Sequence, residues 1–256
     1  MPDIQLNVLG ETGLYVSEIA LGTVKFGRNT GVKYPKDFII PDSRTLQKLL
    51  QVTASLGINY LDTAPAYGSS EETLGKLLKE RKDQWIISTK VGEYFTGNQS
   101  SYDFSRQTTV SSVESSLRKL GVDTLDIVFV HSNGEDEFVI TQTEVLPTLQ
   151  ALKQKGLIRS IGFSGKSAQG SAHALDLCDV FMITLNEADL SQTPLIDQCR
   201  KLNKGVVIKK ALASGHSTNP TEALRFVNHF PGVSSTIVGT ITEDHLRQNV
   251  QAITSA

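Results

Sequence analysis

The sequence predicts an α/β protein, a (β/α)8 TIM barrel with an N-terminal β-hairpin, on three observations. Short apolar runs rich in Val and Ile alternate eight times with amphipathic segments. The runs show no polar alternation, as expected of parallel strands buried on both faces. The length, 256 residues, suits one such barrel, and no linker or change of composition divides it, so a single domain over 1–256 is expected. An open, doubly wound sheet is the structural alternative.

The first segment, Ile4 to Ile19, carries two alternating runs around Gly10 and Gly13, a hairpin signal. Strands are then expected at Ile19–Gly22, Ile58–Leu61, Trp85–Thr89, Ile127–Val130, Ile158–Phe163, Val180–Thr184, Val206–Lys209 and Thr236–Val238. The intervening helices are placed near 43–56, 70–80, 106–120, 141–155, 167–176, 191–203, 220–229 and 242–252. Their apolar residues recur at three and four, as Val110, Val113, Leu117 and Leu120 do. Gly57, Gly121, Gly156 and Gly205 follow helices as C-caps. Two stretches lack periodicity and are read as long loops after strands, Phe26–Pro41 and Gly92–Ser105. In a barrel both lie on the C-terminal face, where such folds place their sites.

Composition narrows the function classes. A net charge of −2 gives no reason to expect nucleic acid or an anionic membrane as partner. No basic-then-apolar leader opens the chain and no apolar stretch is long enough to span a bilayer, so a cytoplasmic location is expected. Cys178 and Cys199 read as buried free thiols. The remaining histidines have no metal-ligand spacing, and no metal is expected. Ser160 to Ser167 nearly spells a phosphate-binding loop, but Ser160 stands where its first glycine belongs. Asn98-Gln-Ser100 is a glycosylation sequon without a secretory context.

Polar residues gather at the strand ends. Asp62 closes the second strand and Tyr67 follows on the same loop, where Pro65 stops the strand, Gly68 permits a turn, and Ser69 or Ser70 can cap the next helix. Lys90 closes the third strand, His131 the fourth and Ser164 the fifth. Singly, each has an ordinary structural reading: a cap, a packed ring, a solvated charge, a satisfied imidazole. Jointly they suit carbonyl chemistry. A lysine near a phenol lowers its pKa, a carboxylate holds the lysine charged, and a neutral histidine donates to the carbonyl oxygen. The hydride must come from a cofactor.

Leu21-Gly-Thr, Asp62-Thr-Ala-x-x-Tyr67-Gly-Ser-Ser-Glu71, Ser88-Thr-Lys90 and Val130-His131 together resemble the aldo-keto reductase family, nearly end to end. The resemblance implies reduction of an aldehyde or ketone, with Tyr67 as general acid, Lys90 and Asp62 tuning it, and His131 orienting the carbonyl. It implies Gly22 and Thr23 beside the nicotinamide ribose, Ser164 at the carboxamide with Asn186 kept, and Leu212 and Ser214 at the pyrophosphate. Gly239, Thr240, Thr242, Gln248 and Asn249 fall in the adenosine-phosphate segment. Three departures stand out: Gly165 replaces an expected Asn, Met182 an expected Gln, and Lys209 an aromatic whose place its stem can take over the nicotinamide. Gly239 and His245 replace basic residues, which removes charge-assisted contacts of roughly 1.5–3 kcal/mol each to a 2′-phosphate. NADP(H) is favoured and NAD(H) possible. The pocket is expected to be open and lined by Val24, Lys25, Phe26, Tyr94 and Phe95. The partner is a small carbonyl compound; a cofactor-binding redox sensor with little turnover is the alternative, and an aldolase using Lys90 as a Schiff-base nucleophile a weaker one.

Overall fold

A computed structural model describes residues 4–79 and 82–254. Strands β1 (Leu6–Val8) and β2 (Tyr15–Ser17) pair antiparallel as the expected hairpin. Gly10 and Gly13 take the positive φ its turn requires. There follow β3 (Ile19–Gly22), α1 (Ser43–Ser55), β4 (Tyr60–Asp62), α2 (Ser70–Leu77) and β5 (Ile86–Val91). Next come β6 (Glu93–Thr96), β7 (Gln99–Tyr102), α3 (Arg106–Leu120), β8 (Leu125–His131), α4 (Asp136–Gln142), α5 (Val145–Gln154) and β9 (Ile158–Ser164). The chain continues through α6 (Ala168–Ala172), β10 (Val180–Thr184), α7 (Thr193–Lys201), β11 (Gly205–Lys209), α8 (Pro220–Asn228), β12 (Ser235–Val238) and α9 (Glu243–Thr254).

Eight of these strands close a parallel barrel in the order β3-β4-β5-β8-β9-β10-β11-β12, with β12 pairing back onto β3. Its interior is filled by Tyr60, Ile127, Phe129, Val180, Met182 and Val207, and Leu9, Leu14 and Val16 of the hairpin pack against this cluster from the N-terminal end. A second apolar shell lies between strands and helices, with Leu74, Val113, Leu149, Ile196, Leu224 and Leu246 facing inwards from the helices. Cys178 and Cys199 are buried and free, and burial pushes the Cys199 thiol up to about 12.

Five local readings change. The span 141–155 is two helices, because the ring of Pro147 would clash with the carbonyl of Thr143; the chain is extended at Thr143 and restarts as α5. Gly92–Ser105 is not a plain loop: Glu93–Thr96 and Gln99–Tyr102 form a hairpin turning on Gly97 and Asn98, both at positive φ. Gly205 is no helix cap. It begins β11, and Leu9 lies so close that a Cβ there would stand 2.7 Å from its side chain; Asn203 takes the left-handed turn instead. Helix α6 is a short turn, and α2 is capped at Ser69 without a side-chain hydrogen bond. The expected end of the second helix at residue 80 lies outside the described residues.

Candidate active site

Parallel register lays the strand-end residues side by side around one mouth. Gly22 neighbours Asp62, Asp62 neighbours Ser88, His131 neighbours Ser164, and Thr184 neighbours Lys209. The tightest contact is the buried ion pair. Lys90 Nζ donates to both Asp62 carboxylate oxygens, at 2.7 and 2.8 Å, and to the Thr63 carbonyl at 2.8 Å. All three ammonium protons are thereby used. Burial pulls the ammonium below its ordinary pKa, with Asp62 opposing. Behind the pair runs a polar column absent from the sequence reading: Tyr60 Oη donates to Ser88 Oγ at 3.0 Å, and Ser88 donates to Asp62 Oδ1 at 2.7 Å.

Tyr67 sits on the 3-10 turn Pro65–Tyr67, with Lys90 Nζ 4.7 Å from its ring centroid. The expected lowering of its pKa is overturned. Burial, then Asp62 and Glu93, hold the phenol well above its ordinary value, while Lys90 is tied to Asp62 and meets the ring face. The turn is fixed by two glycines in contact: a Cβ on Gly68 would stand 2.1 Å from the Gly27 carbonyl oxygen, and one on Gly27 2.4 Å from the Tyr67 carbonyl oxygen. Arg28 clamps the same turn, donating to the Ala66 carbonyl at 3.1 Å and stacking 3.3 Å above the Phe95 ring.

His131 Nδ1 lies 2.7 Å from Glu93 Oε2. Burial lowers the His131 pKa although Glu93 raises it, and Lys90 and Lys209 lower it further. Burial works against the Glu93 charge, but His131, Ser100 and Arg28 outweigh it and bring that carboxyl down to about 2. No signal in the sequence marks Glu93, which lies on a short hairpin strand without polar–apolar alternation.

The cofactor-side residues divide. Thr23 is fully buried, its hydroxyl bonded to the Asp62 carbonyl and to Ser70. Asn186 is spent on a turn, donating to the Lys210 carbonyl and accepting from the Ala188 amide. Met182 does not reach the mouth: it packs mid-strand inside the barrel, so the expected Gln position is a core position here. Phe26 is buried in the shell rather than exposed at the mouth. Lys209 Nζ donates to Ser164 Oγ at 2.9 Å and to the Gly165 carbonyl at 2.8 Å; burial first, then Lys210, brings it down to about 7.

Two departures gain a steric reason. A Cβ on Gly165 would stand 1.9 Å from Ser171 Oγ and 2.9 Å from Asp136 Oδ2. That space belongs to a cluster in which Asp136 accepts from the Lys166 and Ser167 amides. A Cβ on Gly239 would stand 3.0 Å from the Tyr34 hydroxyl, so a side chain there requires Tyr34 to give by a few tenths of an ångström.

The loop after β11 carries three non-glycine residues at positive φ, Lys210, Ala213 and Ser214, strain that clusters at ligand-binding turns. Leu212 lies in this loop; Thr240 and Thr242 hydrogen-bond one another just before α9, whose exposed Gln248 and nearly buried Asn249 follow. Burial first, then Lys33 and Lys166, lowers the Lys210 pKa against the opposing charge of Asp189, and none of the three lysines has a carboxylate at ion-pair distance among the described residues. Among those residues no three His, Cys, Asp or Glu side chains gather to hold a metal, and no helix is long and apolar enough to cross a membrane. A groove of about 340 Å³ between the β6–β7 hairpin and α3 is lined by Pro65, Tyr94 and Phe95 but by none of Asp62, Tyr67, Lys90 or His131.

Known proteins resemble the chain in sequence and fold. A Pseudomonas aeruginosa chain of solved structure, described as an aldo-keto reductase, superposes with a TM-score of 0.90 at 44% identity, over 97% of this chain and 94% of that one. L-galactose dehydrogenase of Arabidopsis thaliana is 34% identical over 181 residues, 69% of this chain and 53% of its own length. The NADH-specific methylglyoxal reductase of Escherichia coli is 28% identical over 217 residues, 78% of this chain and 64% of its own. The chain thus spans about half to two thirds of these curated relatives. With residues 18–222 matching the Aldo/keto reductase family, and the motif residues meeting at one barrel mouth, the chain belongs to that family.

Proposed function

We propose that this chain reduces an aldehyde or ketone to the alcohol with a nicotinamide cofactor, Tyr67 giving the proton. The observation that carries this reading is the Lys90–Asp62 pair held beneath the Tyr67 ring, with His131 two barrel strands from Asp62.

The residues at the mouth fit such a cofactor by their donor set. Lys33, Lys166 and Lys210 have no carboxylate at ion-pair distance among the described residues and lie beside a strained loop, which suits a pyrophosphate. Leu212, Ser214, Gly239, Thr240, Thr242, Gln248 and Asn249 would hold the nucleotide half, with the N-terminus of α9 favouring negative charge. Gly22, Thr23, Ser164 and Asn186 would border the nicotinamide, and the Lys209 stem would cover it. Bound there, the reduced cofactor supplies the hydride. The protein's part is to fix the phenol over the substrate oxygen; burial, Asp62 and Glu93 hold its proton on until the substrate oxygen takes it, and Arg28 opposes them. A Schiff-base role for Lys90 is disfavoured, since its amine is buried and bonded three times.

NADP(H) stays the favoured form on family resemblance. Tyr34 beside Gly239 and the NADH-specific relative both keep NAD(H) in view. A cytoplasmic enzyme without a metal is the corresponding expectation. The sensor reading has one observation behind it: Lys209 occupies the Ser164 hydroxyl that a carboxamide would need. Fluorescence titration with NADPH and NADH, followed by turnover on an aldehyde panel, separates the readings. Binding with turnover supports the reductase, binding without turnover the sensor, and no binding below millimolar concentration contradicts both.

A further inference from the structure

The end of β11 brings a positive charge to the mouth and no negative charge to answer it. Lys209 Nζ is held by two neutral acceptors, the Ser164 hydroxyl at 2.9 Å and the Gly165 carbonyl at 2.8 Å. Such partners fix an ammonium in place and leave its charge uncancelled. Asp136, the carboxylate that acts on Lys209, is buried and committed elsewhere. It accepts from the Lys166 and Ser167 amides, each at 2.8 Å, and from the hydroxyls of Ser132, Ser167 and Ser171. Neither Lys209 nor Asp136 has an ion-pair partner among the described residues. The other charges bearing on Lys209 are Lys210 just beyond β11, Lys90 of β5 and Lys166 of the loop after β9, all of one sign. Its own charge is felt at His131, at the end of β8.

A hydride donor has to lie against the carbon whose oxygen Tyr67 and His131 address, so its ring shares the mouth with Lys209. The oxidised nicotinamide ring is a cation and the reduced ring is neutral. The phosphates and the adenosine half are the same in both forms, so whatever Lys33, Lys166 and Lys210 contribute to them cancels from the comparison. Resting on the reductase reading, we propose that Lys209 is a specificity-determining residue for the redox state of the cofactor: its ammonium, without a carboxylate partner, repels the oxidised ring, and the site holds the reduced form in preference. A neutral side chain at this strand end would lack that discrimination. Lys209 thereby favours loading of fresh cofactor and release of spent cofactor. The same repulsion withdraws driving force from the hydride step, so the gain lies in loading and release. The ammonium loses its proton at about 7, because burial, Lys210, Lys90 and Lys166 outweigh Asp136. The preference is therefore full in mild acid and fades as pH rises through that value.

Calorimetric titration without a carbonyl compound is the test, using whichever of NADPH and NADH binds more tightly and its own oxidised partner. The unmodified chain should bind the reduced form about tenfold more tightly than the oxidised form at pH 6, and this ratio should shrink by pH 9. Lys209→Met should bring the ratio toward one at pH 6, chiefly by tightening the oxidised form. Lys209→Arg, charged at either pH, should keep the ratio at both. Equal affinity for the two forms in the unmodified chain at pH 6 overturns the proposal without recourse to a variant. So does a ratio unchanged in Lys209→Met with both affinities moving together, the mark of a merely structural lysine. If neither form binds below millimolar concentration, the reductase reading fails and takes the proposal with it; binding of both forms at equal strength fails the proposal alone.

Discussion

At the scale of single residues, position at a strand end was readable and the use of each proton was not. Asp62, Tyr67, Lys90 and His131 are polar residues closing or following apolar runs, and a closed barrel brings such ends together. That Lys90 spends all its protons on Asp62 and Thr63, or that Glu93 faces His131, depends on distances across strands. Removing Lys90 alone leaves Asp62 charged and buried; Lys90→Ala should cost about 3–5 kcal/mol in chemical denaturation. Gly165 is sterically compelled. Gly165→Ala should destabilise by about 1–3 kcal/mol, and Ser171→Ala in the same chain should recover part of it, giving a non-additive double-mutant cycle. Lys209 makes a prediction with a sign. Its pKa falls from 10.5 unfolded to about 7 folded, so between those values the unfolded chain binds more protons and stability rises with pH. Melting temperature should climb from pH 7 toward pH 10. Lys209→Met, which keeps the stem but not the charge, should melt a few degrees higher at pH 7 and lose that climb.

Elements were legible where period and punctuation agreed. The barrel strands and the longer helices follow from apolar runs and the 3.6 repeat, and Gly57, Gly121 and Gly156 take the left-handed φ that ends a helix. The misreadings have local causes that were present in the chain. Pro147 forbids one helix over 141–155, and Gly97-Asn98 between Thr96 and Gln99 is a two-residue hairpin signal inside an otherwise aperiodic stretch. That hairpin matters because it carries Glu93 to the site, and Arg28 ties it to the Tyr67 turn through Phe95 and Ala66. Arg28→Ala should loosen this assembly selectively. Hydrogen exchange should quicken over Glu93–Tyr102 and residues 24–42 while β8 and β9 keep their protection; uniform loosening would show that the clamp is not local.

The whole molecule is a closed barrel whose one mouth collects a buried ion pair, a phenol, an imidazole with its own carboxylate, and a rim of lysines. Closure was legible because eight similar units have no composition break between them, and the hairpin that packs at the opposite end was legible from its glycines. The cofactor side was less so: the crowding of Gly165 by Asp136 and Ser171, and the closeness of Tyr34 to Gly239, arise between segments distant in sequence. The central claim is that Tyr67 transfers the proton at this mouth. Its most direct test is carbonyl reduction by Tyr67→Phe, measured beside a nucleotide titration of the same variant. Turnover should fall by about 10²–10⁴-fold with nucleotide affinity unchanged. Turnover within a factor of two of the unmodified chain would contradict the account.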